Sequence, residues 1–143
     1  MKQVILCAID LTKEASEAKV LQEAGRLAAH DDAQLDVMNV LPDFGMSIVG
    51  SFFSEGRTQQ AQDAARAALF DFCERTLGGA VNAKVRHVVA TGSIYQEILI
   101  AAGAAESSLI VVGSHVPAMS DFLLGPNAAR VVRHSKCSVL VVR

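Results

Sequence analysis

The chain has no tryptophan, one tyrosine, three prolines and three cysteines among its 143 residues. Aromatic residues amount to 5%, which leaves nothing to flank a flavin ring. Charge of one sign is also missing. Thirteen Lys and Arg against fifteen Asp and Glu leave a formal net charge of −2. The basic residues are scattered, mostly beside acids on helical stretches, so they read as solvated faces rather than a nucleic-acid surface. Cys7, Cys73 and Cys137 are odd in number and far apart, with no Cys-x-x-Cys pair. That excludes a disulfide framework and a zinc site, and it points to reduced thiols in a cytoplasmic protein. No apolar run reaches membrane-spanning length. The apolar stretch within Met1 to Asp10 is too short for a signal peptide, carries no small-residue cleavage site and reads as a strand. No Walker loop, no Gly-x-Gly-x-x-Gly after the first strand and no Gly-x-Ser-x-Gly elbow is present. No His, Cys or carboxylate cluster has metal-ligand spacing, and nothing pairs a nucleophile with a base. No catalytic residue and no metal ligand is therefore expected.

What is present is an alternation of two apolar periods. Hydrophobic residues make up 51% and charged residues 20%, the balance of an ordinary globular chain of one-domain length, residues 1–143. Val4 to Ile9, Leu35 to Leu41, Val85 to Ala90, Leu109 to Val112 and Val139 to Val142 are five short, largely β-branched runs. Helical periods separate them. Val20, Leu21, Ala24, Leu27 and Ala28 share one face. Ala61, Ala64, Ala65, Ala68, Leu69, Phe72 and Cys73 share another, as do Ile94, Ile98, Ala101, Ala102 and Ala105. Ser93 with Gln96 three residues on predicts a capping box. Pro126 at a first helical position predicts a last helix from about Pro126 to His134. The order β-α-β-α-β-α-β-α-β, with right-handed crossovers, predicts an α/β fold: an open, doubly wound, five-stranded parallel sheet flanked by four helices. Pro42 to about Arg57 is irregular yet holds Met46, Ile48, Val49, Phe52 and Phe53. It is either a short helix tucked on the body or a lid or contact surface.

Open α/β sheets take their ligands outside the carboxyl ends of the strands. Here those ends are Asp10, Asn39 to Leu41, Thr91-Gly92 and Gly113-Ser114-His115. Asp10 can accept hydrogen bonds from ribose hydroxyls; taken alone, it more readily caps the following segment. Gly113 after a buried strand permits close approach to the backbone, and Gly125 opens a helix whose first N–H groups point outward. Together they could cradle a polyphosphate, or merely make a turn and a cap. His115 either touches a phosphate or faces solvent. His134 suits a helix C-terminus, and His30 and His87 read as ordinary surface residues.

The run Val111-Val112-Gly113-Ser114-His115, the step Leu123-Leu124-Gly125 and the ending Val131-Val132-Arg133-His134 … Cys137-Ser138-Val139-Leu140-Val141-Val142-Arg143 resemble universal stress proteins. Ser-His-x-Pro, Leu-Leu-Gly-x-Asn-Ala-Ala and Val-Val-Arg-His resemble the bacterial F/G subgroup in particular. Ile5 to Asp10, Asn39-Val40 and Thr91-Gly92-Ser93 extend the likeness over nearly the whole chain. The resemblance implies strand order 3-2-1-4-5, a homodimer and, in the nucleotide-binding branch, ATP or AMP, with Mg2+ as an optional companion. It implies binding by Ala8, Asp10, Asn39, Val40, Val112, Gly113, His115, Gly125, Pro126, Asn127 and Ala128. It also implies antiparallel pairing of the last strand, near Val139, Leu140 and Val141, across a two-fold axis. The family's second glycine is Val116 here, the spacer to Gly125 is one residue shorter, and the hydroxyl residue after that glycine is Pro126. The implied function is a stress-response and signalling module that binds adenine nucleotide. The alternative is a dimeric interaction protein that has lost the nucleotide, with an unknown protein partner. An enzyme, at most a slow ATPase or self-modifying protein, ranks last. A receiver domain lacks its phospho-accepting Asp at Ala90-Thr91-Gly92, and Leu11-Thr12-Lys13-Glu14 is no flavin phosphate loop.

Overall fold

The computed structural model describes residues 2–42, 55–114 and 125–143, with the side chains of residues 55–57 excepted. Five parallel strands form one sheet: β1 (Val4–Ala8), β2 (Gln34–Pro42), β3 (Arg86–Gly92), β4 (Leu109–Gly113) and β5 (Ser138–Val142). Their order is β3-β2-β1-β4-β5, as the family resemblance implies. The central strand sets the register. In β1, Val4 to Ala8 lie opposite Gln34 to Met38 of β2, and Ile5 to Cys7 opposite Leu109 to Val111 of β4. Ile5, Leu6 and Cys7 are each at most 1% exposed, because helices cover both faces of a parallel sheet. Alternate residues therefore feed two cores. Ile5, Cys7, Val37 and Val111 pack toward α1 (Glu14–Asp31) and α2 (Glu55–Leu77). Leu6, Met38, Ile110 and Val112 pack toward α4 (Ile94–Ala104) and α5 (Pro126–His134).

The helices follow their apolar stripes with three departures. In α2, Ala65, Leu69, Phe72 and Cys73 are buried, but Ala61, Ala64 and Ala68 are exposed. The first turns of α2 overhang the carboxyl edge of the sheet, where the Gln62 amide donates to Thr91 Oγ1 at 2.9 Å. The capping box does not form. Ser93 occupies the N-cap of α4 with extended backbone, yet its side chain makes no cap hydrogen bond. Gln96 turns instead to the Tyr95 hydroxyl, leaving the backbone bond from Glu97 N–H to Ser93 C=O, 2.9 Å, to start the helix. Gly92, at φ +150°, makes the preceding bend. A short α3 (Gly79–Asn82) joins α2 to β3 and was not expected. Of the irregular stretch, Pro42 ends β2 and residues 55–57 open α2. Residues 43–54 lie outside the described residues.

The α3 corner also corrects the reading of His87. Asn82 is 1% exposed and donates to Phe70 C=O (3.3 Å) and Glu74 Oε2 (2.7 Å). Its Oδ1 lies 2.6 Å from His87 Nε2. His87 is thus a half-buried member of a polar cluster on an edge strand, packed on Phe70 at 5.2 Å between ring centroids. Burial, followed by the Arg66 charge, lowers its pKa from 6.5. His30 is exposed, as expected.

A folded-state value below the unfolded one means that the unfolded chain binds the proton first. The stabilisation from neutral His87 is thus complete above the ordinary histidine range and drains away as pH falls through it. An NMR titration of the ring is expected to place its midpoint below 6.5; a higher midpoint would refute the cluster's preference for neutral imidazole. A second expectation concerns Arg86, whose Nε and Nη2 meet Asp36 Oδ1 and Oδ2 at 2.6 and 2.9 Å. Asp36 is 3% exposed, so Arg86→Ala strands a buried carboxylate. The loss should be about 2 kcal/mol, below the value for a fully buried pair because Arg86 is exposed. A denaturant melt with an unchanged midpoint would contradict this.

Candidate functional site

Because all five strands run the same way, their carboxyl ends open on one edge. There β1 leads to α1 on one face of the sheet and β4 to α5 on the other, leaving a crevice. The crevice is a cleft of about 620 Å³, within the usual range for a small-molecule site. Its floor is Ala8, Met38, Val40 and Val112 from the strands, with Ile9 just beyond β1. Ile94 and Ile98 of α4 wall one side, and Ala61, Ala64 and Ala65 of α2 overhang the other. Polar groups enter at three points: Asp10 to Lys13 with Glu17, Asn39, and the start of α5.

The cleft brings together Ala8, Asp10, Asn39, Val40, Val112, Gly113, Gly125, Pro126, Asn127 and Ala128. These are all the predicted site residues but one. His115 lies outside the described residues, as does Val116. Asn39, Val112 and Ala128 are buried, and Asp10, Val40, Gly113, Gly125 and Asn127 are half-buried. Val40, with Ala8 and Val112 near it, presents an apolar surface suited to a flat ring. Asp10 sits where β1 ends and accepts from Thr12 N–H (2.9 Å) and Thr12 Oγ1 (2.6 Å), both through Oδ1. It caps the 3-10 turn Leu11–Lys13. The capping role expected of an isolated aspartate is therefore real, and it occupies one carboxylate oxygen.

Across the cleft, Gly125 is the N-cap of α5 and Pro126 follows it in the first turn. Among the described residues no side chain caps this end, and Ala129 N–H closes the first helical bond to Gly125 C=O at 2.9 Å. The N–H groups of Asn127 and Ala128 belong to this first turn, at the positive end of the helix dipole. That is a place for an anion, short of one donor because Pro126 has no N–H.

Three parts of the cleft escaped the sequence reading. The alanines of α2 were assigned to a core face, whereas Ala61 and Ala64 line the cleft. Met38 and Ile98 were legible only as core positions. Glu17 was overlooked, although it is 2% exposed and its Oε1 accepts from the Asp10 N–H at 2.6 Å. The signal was available: Glu17 stands one turn before Val20 and Leu21, so it falls on the apolar stripe of α1.

Beneath the floor lie the Cys7 and Cys73 thiols. Burial raises the Cys7 pKa well above its ordinary value, and the Glu17 and Cys73 charges add to the effect. Burial alone pushes Cys73 up to about 12. Both remain thiols near neutral pH and pack as small apolar groups. Among the described residues, no three His, Cys, Asp or Glu residues gather as a metal site, and no helix is long and apolar enough to cross a membrane.

Comparison with known proteins agrees with this geometry. The universal stress protein family matches residues 1–143. Universal stress protein G of Shigella flexneri is 28% identical over 149 residues, with all of both chains covered. Universal stress protein A homolog 1 of Coxiella burnetii (strain RSA 493 / Nine Mile phase I) is 30% identical over 141 residues, covering 96% of this chain and 94% of the relative. A universal stress protein crystallised in complex with cAMP has the same fold, with a TM-score of 0.69 and 22% identity over 99% of this chain and 97% of that one. The sheet order, the cleft at its carboxyl edge and a match that runs from the first residue to the last lead to one conclusion: the chain belongs to the universal stress protein family.

Proposed function

We propose that the chain is a single-domain stress-response and signalling module that binds an adenine nucleotide, ATP or AMP, in the cleft. One observation carries the reading: a single cleft is lined by an apolar floor, an acceptor, Asp10, and a helix N-terminus, Gly125 to Ala128. A nucleotide offers the three matching chemistries: an apolar base, ribose hydroxyls and an anionic phosphate. In this reading Ala8, Val40 and Val112 pack the adenine, Asp10 accepts from the ribose, and Gly113 admits the sugar close to the backbone. Asn39 borders the base, His115 flanks the phosphates, and Asn127 and Ala128 donate to them. A relative of the same fold binds cAMP, which supports the ligand class. Mg2+ would accompany ATP through its phosphates. Three thiols without disulfides fit a cytoplasmic setting.

Pro126 limits the affinity. It withholds one N–H and one hydroxyl from the phosphate end; a hydrogen bond to a charged group contributes about 1.5–3 kcal/mol. Pro126→Ser restores both donors and should tighten binding about ten-fold or more. A thermal melt reads the site directly. An adenine nucleotide at a hundred times its dissociation constant adds about 2.7 kcal/mol, raising the midpoint by roughly 5–10 °C. GTP should give little shift, and Gly125→Asp should abolish the adenine shift. No shift in either the natural chain or Pro126→Ser would favour a dimeric interaction protein that has lost its nucleotide, a reading to which Pro126 lends support.

The same module is proposed to work as a homodimer. β5 is an edge strand, and Val139, Leu140, Val141 and Val142 are only half-buried. Among the described residues, one side of its backbone has no neighbouring strand, an arrangement that invites pairing with a second copy. Val141→Lys should convert the dimer to monomer or aggregate by light scattering. An unchanged dimer would remove β5 from the interface.

A further inference from the structure

We infer that Glu17 is the positioning residue of the ribose end of the cleft, setting preference for a ligand with vicinal sugar hydroxyls. The inference rests on the nucleotide reading and concerns the same site.

β1 ends at Ala8, and the backbone N–H groups beyond it must find other partners. Ile9 N–H donates to Met38 C=O at 2.8 Å, still following the sheet. Asp10 N–H instead donates to Glu17 Oε1 at 2.6 Å. Glu17 reaches back from the first turn of α1, seven residues on. A buried carboxylate accepting from a backbone amide is a charge-assisted bond, short and directional. It fixes the backbone of Asp10, while Thr12 fixes the side chain by taking both its bonds at Oδ1.

The result is an aspartate held at both ends. Its Oδ1 is engaged by Thr12, so Oδ2 is the atom left to face hydroxyls in the cleft. Two neighbouring hydroxyls of one sugar can share such an oxygen, and a sugar without them leaves a desolvated carboxylate underused. Reach, rather than charge, makes Glu17 suitable. An amide oxygen at the same place would still accept the Asp10 N–H, though more weakly, whereas a side chain one methylene shorter would fall short of it.

The test compares AMP with 2′,3′-dideoxy-AMP by calorimetry on the natural chain, Glu17→Gln and Glu17→Asp. Glu17→Gln conserves volume, whereas Glu17→Asp removes one buried methylene, so a thermal melt of each variant accompanies the titrations and affinities are compared only between folded proteins. The natural chain should prefer AMP about ten-fold or more, the effect of a hydrogen bond to a charged acceptor. Glu17→Gln should rescue that preference, and Glu17→Asp should bring it to within about three-fold of unity. Amide exchange at Asp10 should quicken in Glu17→Asp alone. A preference kept in Glu17→Asp, or lost in Glu17→Gln, overturns the positioning role while leaving the nucleotide reading intact. Failure of the natural chain to bind AMP overturns both.

Discussion

Parallel pairing along the central strand is the constraint on which the rest depends. β1 hydrogen-bonds to β2 on one side and β4 on the other in fixed register. Two parallel neighbours require crossovers, and crossovers place helices on both faces. All carboxyl ends then lie on one edge, and the chain must leave β1 and β4 in opposite directions. The cleft is a by-product of that divergence. Ile5, Leu6 and Cys7 have no choice but burial, which keeps the cleft floor rigid beneath any ligand.

Polar groups at the edge serve two masters. Asp10 caps a 3-10 turn and faces the cleft; Gly125 caps α5 and borders the same space. The N–H groups and carboxylates that end regular structure are the groups a ligand can use, because secondary structure does not consume them. Local stability and recognition therefore compete at the same atoms. Glu17 and Thr12 ease that competition by holding Asp10 from behind. Pro126 worsens it by giving a helix a good first residue and the cleft one donor fewer.

Much of this was legible. The β-branched runs and the three- and four-residue steps identified all five strands and the four longer helices, and Pro126 marked the start of α5 to the residue. Misses came where a local rule was outweighed by tertiary contacts. Ser93 and Gln96 had the letters of a capping box, but the Tyr95 hydroxyl took the Gln96 amide. His87 seemed an ordinary surface residue because nothing local announced α3, whose Asn82 draws the ring inward. Ala61 and Ala64 obeyed the helical period, yet that period cannot say where a helix outruns the sheet beneath it.

The sequence by itself determined the alternation of strand and helix, the sheet class and the glycines and aspartate at the strand ends. These depend on periodicity and backbone conformation, which act over a few residues. Only the tertiary structure decided which of those ends meet, that α2 overhangs them, and that Glu17 reaches the Asp10 amide. The physical reason is that burial is a collective property. A carboxylate on an apolar stripe is a mismatch when read along the chain, and it acquires a partner only once β1, α1 and the turn between them are packed together.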